Sequence, residues 1–168
     1  MKNLIPLIIF IVIGCSSPSE NTEAPFILTT LDKQEIHIEE EGKALHFREF
    51  SNQPTLLVLF GHDCPPCLHE IPALVQFKKA HQDINLMAIE VQNMDKKALK
   101  SFAKDKDINY SLLRREENSG FLKYIANKAS WNGAIPFMIA FDKKGRIYDT
   151  HLGIAEKNEL EKLYQNLK

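Results

Sequence analysis

The stretch Phe60-Gly61-His62-Asp63-Cys64-Pro65-Pro66-Cys67-Leu68-His69-Glu70-Ile71-Pro72 decides the fold. Ahead of it, Thr55-Leu56-Leu57-Val58-Leu59-Phe60 is a short apolar run without alternation, which predicts a strand covered on both faces. Behind it, apolar residues fall at Leu68, Ile71 and Val75, which is helical spacing. Two cysteines separated by two prolines therefore stand where a strand gives way to a helix. Free backbone N–H groups and the positive end of the helix dipole favour a thiolate at such a place. Reversible disulfide chemistry needs that thiolate. A lone pair of cysteines at this spacing could also be half of a zinc site, but the chain holds no second Cys-x-x-Cys to complete one.

The 168 residues fit one domain, and 44% apolar content is enough for a core. Net charge is −1 with both signs interspersed, so no basic stripe points to nucleic acid. The N-terminus departs from the globular pattern. Met1-Lys2-Asn3 is a short cationic start, and residues 4–13 are almost continuously apolar. That run is too short for a bilayer span and reads as the apolar core of a secretory signal.

Val12-Ile13-Gly14-Cys15 resembles the bacterial lipobox. The resemblance implies a signal peptide over 1–14, cleavage after Gly14 and lipid on Cys15. The polar residues that follow read as a flexible tether over 15–25, ahead of a folded domain over 26–168. Of the three cysteines, the anchor then takes Cys15, and Cys64 and Cys67 are left to pair with each other. An exported compartment permits that disulfide.

Along the chain, 26–31, 34–39 and 45–50 predict short strands, with Ile36-His37-Ile38-Glu39 alternating so that His37, like His46, faces water. A helix over 65–81 contains Pro72, which is expected to kink it. Residues 84–91 form a second two-faced apolar run. Asn93 is expected to cap a helix reaching Lys104, with Met94, Ala98 and Phe102 on its apolar stripe. Residues 108–113 are extended, and 119–129 predict a helix with Phe121, Leu122, Ile125, Ala126 and Ala129 inward. A strand at 137–141, a turn at Asp142-Lys143-Lys144-Gly145, a strand at 146–151 and a helix at 156–167 close the chain. Helices and strands in this order predict an α/β fold with a mixed β-sheet flanked by helices and an N-terminal β extension.

This arrangement resembles the thioredoxin fold. Cys64-Pro65-Pro66-Cys67-Leu68-His69-Glu70-Ile71-Pro72 resembles the Cys-x-Pro-Cys-x-x-Glu-x-Pro signature of the TlpA/ResA-like exported thioredoxins. Asn52 to Phe60 resembles that family's first core strand, and Ala134-Ile135-Pro136 its cis-proline loop. Three positions differ: Asp63 replaces the usual tryptophan, Phe137 a common threonine, and Val58 the buried aspartate of cytoplasmic thioredoxins. In the TlpA-like branch the acid comes from the helix instead, here as Glu70.

The resemblance implies a membrane-anchored thiol-disulfide oxidoreductase facing the periplasm or cell exterior, with no bound cofactor. It would reduce disulfides of exported proteins, apocytochrome c among the candidates, and draw electrons from a membrane donor. Cys64, at the helix entrance, is expected to attack, and Cys67, inside the first turn, to resolve. Glu70, almost one helical turn beyond Cys67, is expected to have a raised pKa and to shuttle the resolving thiol's proton. Pro136 is carried over as the cis-proline that faces the dithiol and leaves backbone groups free for an extended partner. His62 and His69 are expected to be ordinary polar residues of the rim, and Trp131 a core residue near the proline loop. The alternative is a copper-binding chaperone using Cys64, Cys67 and a histidine, since thiolates suit Cu(I). A thiol peroxidase would call for Thr-x-x-Cys, and Gly61 occupies that threonine's place.

Overall fold

A computed structural model describes residues 25–168. The expected signal peptide, the lipidated Cys15 and nearly all of the tether lie outside the described residues. Among those described, no helix is long and apolar enough to cross a membrane.

Three antiparallel strands come first: β1 (Phe26–Thr29), β2 (Glu35–Glu41) and β3 (Ala44–Phe47). The central sheet has β4 (Thr55–Phe60), β5 (Asn85–Glu90), β6 (Ser111–Arg114), β7 (Phe137–Phe141) and β8 (Ile147–Leu152) in the order β6-β5-β4-β7-β8. Strand β5 runs parallel to β4 and β6, whereas β7 is antiparallel to β4 and β8. Four helices flank the sheet: α1 (Pro65–Ala80), α2 (Lys96–Asp105), α3 (Ser119–Lys128) and α4 (Lys157–Leu167). This is the thioredoxin-like mixed sheet, with the expected N-terminal extension forming a small sheet of its own.

Strand β4 shows why its sequence lacks alternation. Leu56, Val58 and Phe60 enter a core with Leu74 and Phe77 of α1, Leu99 of α2 and Leu160 of α4. Leu57 and Leu59 enter the opposite core with Phe121 and Ile125 of α3 and Ile38 and Phe47 of the small sheet. Successive side chains point to opposite faces, so a strand with two buried faces carries apolar residues on both. Backbone hydrogen bonds help tie the small sheet on. Leu31 N donates to Leu112 O at 2.7 Å, and Leu45 N to Gly145 O at 2.7 Å. A Cβ on Gly145, whose φ is +74°, would strike the Leu45 carbonyl.

Several boundaries differ from the sequence reading. The third strand ends at Phe47, and Arg48–Phe50 form one 3₁₀ turn that brings Glu49 back to His37, whose N and Nδ1 lie 2.9 and 2.8 Å from the carboxylate. His37 and His46 do stay at the surface, half-buried or exposed, each beside a glutamate. Asp95, not Asn93, caps α2: its Oδ1 accepts from Lys97 N and Ala98 N, and Leu99 is the residue buried beneath. On α1 the buried stripe is Cys67, Glu70, Ile71, Leu74 and Phe77, so Leu68 and Val75 mark its edge and not its centre. The helix runs on through Pro72, which faces solvent.

Candidate active site

Cys64 is the N-cap of α1, with extended backbone, and prolines occupy the first two helical positions. A cap side chain ordinarily accepts from the second or third helical N–H. Proline has no N–H, so one donor remains: Cys67 N, 3.3 Å from Cys64 Sγ. The two cysteines form a disulfide with their Cα atoms 5.2 Å apart. Cys64 is 6% exposed and Cys67 1%. Of the two residues, the one at the helix entrance is the more exposed.

The Ile135-Pro136 bond is cis, and Ile135 O lies 3.9 Å from Cys64 Sγ. The loop carrying it is fixed by Trp131, whose Nε1 donates to Ala134 O at 2.7 Å. The antiparallel pairing of β4 with β7 thus brings together the disulfide and the cis-proline loop, 71 residues apart in the chain. Trp131 is beside that loop as expected, half-buried against the α3-side core.

Glu70 is 1% exposed and takes one hydrogen bond, from Ala155 N at 2.8 Å. Burial raises its pKa to about 7, against the smaller opposing effects of the Ala155 N–H and His151. A carboxyl group one helical turn from Cys67 that titrates near neutrality can take or give a proton there.

A second buried carboxylate holds the segment that leads into Cys64, and sequence reasoning missed it. Glu90, at the end of β5, has no exposed surface. Its Oε1 lies 2.8 Å from His62 Nδ1 and accepts from Gln92 N at 2.9 Å, while Oε2 accepts from Met94 N at 2.8 Å. Gln92 in turn clamps Asp63, accepting from Asp63 N at 2.8 Å and donating to Asp63 O at 3.2 Å. The segment before Cys64 is therefore anchored to the end of β5. Gly61 is required in it, because a Cβ there would collide with Gln92 and come within 2.8 Å of Ile135 Cδ1. The one available signal was an acidic residue inside the two-faced run 84–91, where a charge survives only with partners.

His62 is thus turned to Glu90, and His69 is exposed. Among the described residues no three His, Cys, Asp or Glu side chains converge to hold a metal ion.

Comparison with known proteins agrees with this geometry. The chain is 26% identical over 149 residues to the thioredoxin-like protein YneN of Bacillus subtilis, covering 79% of this chain and 82% of that one. It is 25% identical over 150 residues to the thiol-disulfide oxidoreductase ResA of Bacillus thuringiensis, covering 86% and 76%. Crystalline StoA from Bacillus subtilis superposes with a TM-score of 0.63 at 20% identity, over 83% of this chain and 95% of that one. The AhpC/TSA family model matches residues 22–150. This chain, with its thioredoxin-like fold, belongs to the AhpC/TSA family.

Proposed function

We propose that the protein is an exported, lipid-anchored thiol-disulfide oxidoreductase that reduces disulfides in other exported proteins. The observation that carries this reading is the Cys64–Cys67 disulfide at the N-terminus of α1, with the Ile135 carbonyl 3.9 Å from Cys64 Sγ. The relatives named thiol-disulfide oxidoreductase support it. In the reduced protein the Cys64 thiolate attacks one sulfur of a substrate disulfide, forming a mixed disulfide and releasing the first substrate thiolate. Cys67 gives its proton to Glu70 and displaces the second substrate thiolate, which restores the Cys64–Cys67 disulfide. Two electrons have then passed to the substrate, and Glu70 returns its proton to solvent or to the leaving thiolate. Pro136 turns the loop so that its neighbouring backbone can hold an extended partner. A membrane donor of two electrons resets the dithiol, and apocytochrome c is one candidate substrate. Residues 1–14 serve as signal peptide, Cys15 carries the lipid, 15–25 form the tether, and the domain over 26–168 faces the periplasm or cell exterior.

Cys67→Ser tests the central assignment, because a mixed disulfide through Cys64 then has no resolving thiol. Expected is covalent capture of partners by Cys67→Ser and none by Cys64→Ser, read on non-reducing gels; capture through Cys67 instead reverses the two roles. Cys15→Ala should leave the precursor extractable without detergent, and unchanged detergent dependence removes the anchor.

A further inference from the structure

Beside the dithiol a groove of about 740 Å³ opens between α3 and the cis-proline loop. Val91, Leu122, Trp131 and Ile135 make its walls apolar, and Arg115 and Lys123 are its charged residues; no carboxylate lines it. The groove is continuous with the reacting centre through two shared residues. Ile135 lines the groove with its side chain and presents its carbonyl to Cys64 Sγ, and Gln92 lines it while clamping Asp63. Gly61 keeps that shared wall open, since a side chain there would occupy the space between Gln92 and Ile135.

The two cations differ from their neighbours in pairing with no carboxylate among the described residues. Arg114 is paired with Glu116 and Glu117, and Lys128 with Glu40. Among the described residues, Arg115 and Lys123 have no carboxylate within 4.0 Å. Arg115 is nonetheless held over the groove, its Nη1 donating to Val91 O at 3.2 Å. Two exposed cations of one sign above an apolar cleft focus a field that attracts a carboxylate and repels a cation.

We infer that this groove selects the disulfide partner by receiving the acidic segment that flanks the partner's reacting cysteine, an apolar side chain against Trp131 and Ile135 and a carboxylate at Arg115 and Lys123. This rests on the dithiol reading of the preceding subsection. The occupant is an extended stretch of a substrate protein, because only such a chain reaches the groove and Cys64 Sγ together. A substrate segment with lysine in place of the carboxylate is disfavoured by the same field.

The test uses the pre-reduced protein in single turnover with short synthetic peptides closed by one disulfide. Each carries a Leu and either Glu, Gln or Lys two to four residues from a cysteine, on either side. Expected is a rate constant about tenfold higher for the best Glu peptide than for its Gln counterpart at low salt, and lower for Lys, on the order of two field-directing charges. The preference should shrink in 0.5 M salt, a concentration at which the Debye length is about 4 Å. Lys123→Glu alone should erase the preference, and Arg115→Glu with Lys123→Glu should invert it toward the Lys peptide. Equal rates for all peptides overturn the groove. So does a preference that survives both charge reversals, or a change of oligomeric mass on reversal with no change of preference, which would make the occupant a second copy. The neutral 2-hydroxyethyl disulfide distinguishes the two readings: if wild type fails to reduce it, the oxidoreductase reading itself has failed.

Discussion

Two buried glutamates attend one disulfide, Glu70 three residues beyond Cys67 and Glu90 bonded to His62 two residues before Cys64, and they are wired differently. Glu70 rises from α1 into the core and meets one donor, Ala155 N. Glu90 ends β5 and meets His62 Nδ1, Gln92 N and Met94 N. A carboxylate that burial has stripped of water, with a single hydrogen bond in return, is held up to about 7 and is able to exchange a proton at neutral pH. A carboxylate with donors on both oxygens is instead a joint, fastening three points of backbone and side chain. Burial alone therefore does not define a role; the number of donors does. The same chemical change at the two positions should act in opposite directions.

The largest effect is expected from Glu90→Ala. His62 Nδ1 and the N–H groups of Gln92 and Met94 would lose their acceptor, and a donor left buried costs about 1–3 kcal/mol. Some of them regain water, so the loss of stability should be about 3–5 kcal/mol. Denaturant unfolding of the oxidised protein measures it, and a loss below about 1 kcal/mol would show that the joint bears no strain of the fold. The redox site should suffer with it, since the Gly61-His62-Asp63 segment leads directly into Cys64.

Next in size is the pH dependence set by Glu70. Its folded pKa of about 7 lies above the unfolded carboxyl range, so the folded state binds more protons between the two. Glu70 then contributes no penalty below about pH 4, and stability falls as pH rises toward about 7. A rise from 4.5 to about 7 corresponds to about 3 kcal/mol. Glu70→Gln keeps the shape and an acceptor for Ala155 N but does not titrate. The variant should match wild type at pH 4 and exceed it at pH 8 by about 2–3 kcal/mol, while its thiol reactivity loses an inflection near pH 7. Glu90→Gln, which loses one carboxylate oxygen from a fully used set, should be destabilised at both pH values. Unfolding curves for the two variants that move in the same direction at pH 8 would remove the contrast.

The difference between the two glutamates also marks what the sequence could convey. The unalternating apolar runs located β4 and β5, whose residues 56–60 and 86–89 are apolar on both covered faces, and the Cys64 to Pro72 signature pointed to the fold around them. Glu70 was legible through that signature and its helical distance from Cys67. Glu90 was not. Its meaning lies in His62, which is 28 residues away in the chain and brought adjacent by the parallel pairing of β4 with β5. The same holds for Gln92 and Asp63, 29 residues apart. Errors of boundary have local causes: Asp95 outcompeted Asn93 because its Oδ1 reaches two N–H groups, and Glu49 drew residues 48–50 out of the strand. The apolar stripe of α1 was misplaced because Glu70, a carboxyl side chain that does not read as apolar in a hydropathy pattern, belongs to it.

The smallest effect concerns the dithiol itself and the direction in which it passes electrons. Cys64 Sγ receives one N–H, from Cys67, and faces an acceptor, the Ile135 carbonyl. The second helical position, which would supply the other cap donor, is Pro66. Asp63 adjoins Cys64 and adds a like charge to any thiolate. A thiolate so poorly supported leaves the reduced form less stabilised, which makes the couple more reducing. That is the basis on which we propose a reductant, nearer to thioredoxin than to a strong oxidant. Pro66→Ala restores the missing donor without adding charge. Pro66 is exposed, so solvent already supplies part of that bond, and the gain belongs at the low end for a hydrogen bond to a charged group, about 1.5 kcal/mol. The potential should then rise by about 30 mV and the Cys64 pKa should fall by about one. Equilibration with glutathione measures the first and thiol alkylation against pH the second. A wild-type potential near that of the strong periplasmic oxidant would sink the reductant assignment. A variant whose pKa falls while its potential stays fixed would mean that the prolines govern how fast Cys64 attacks and not which way the electrons go.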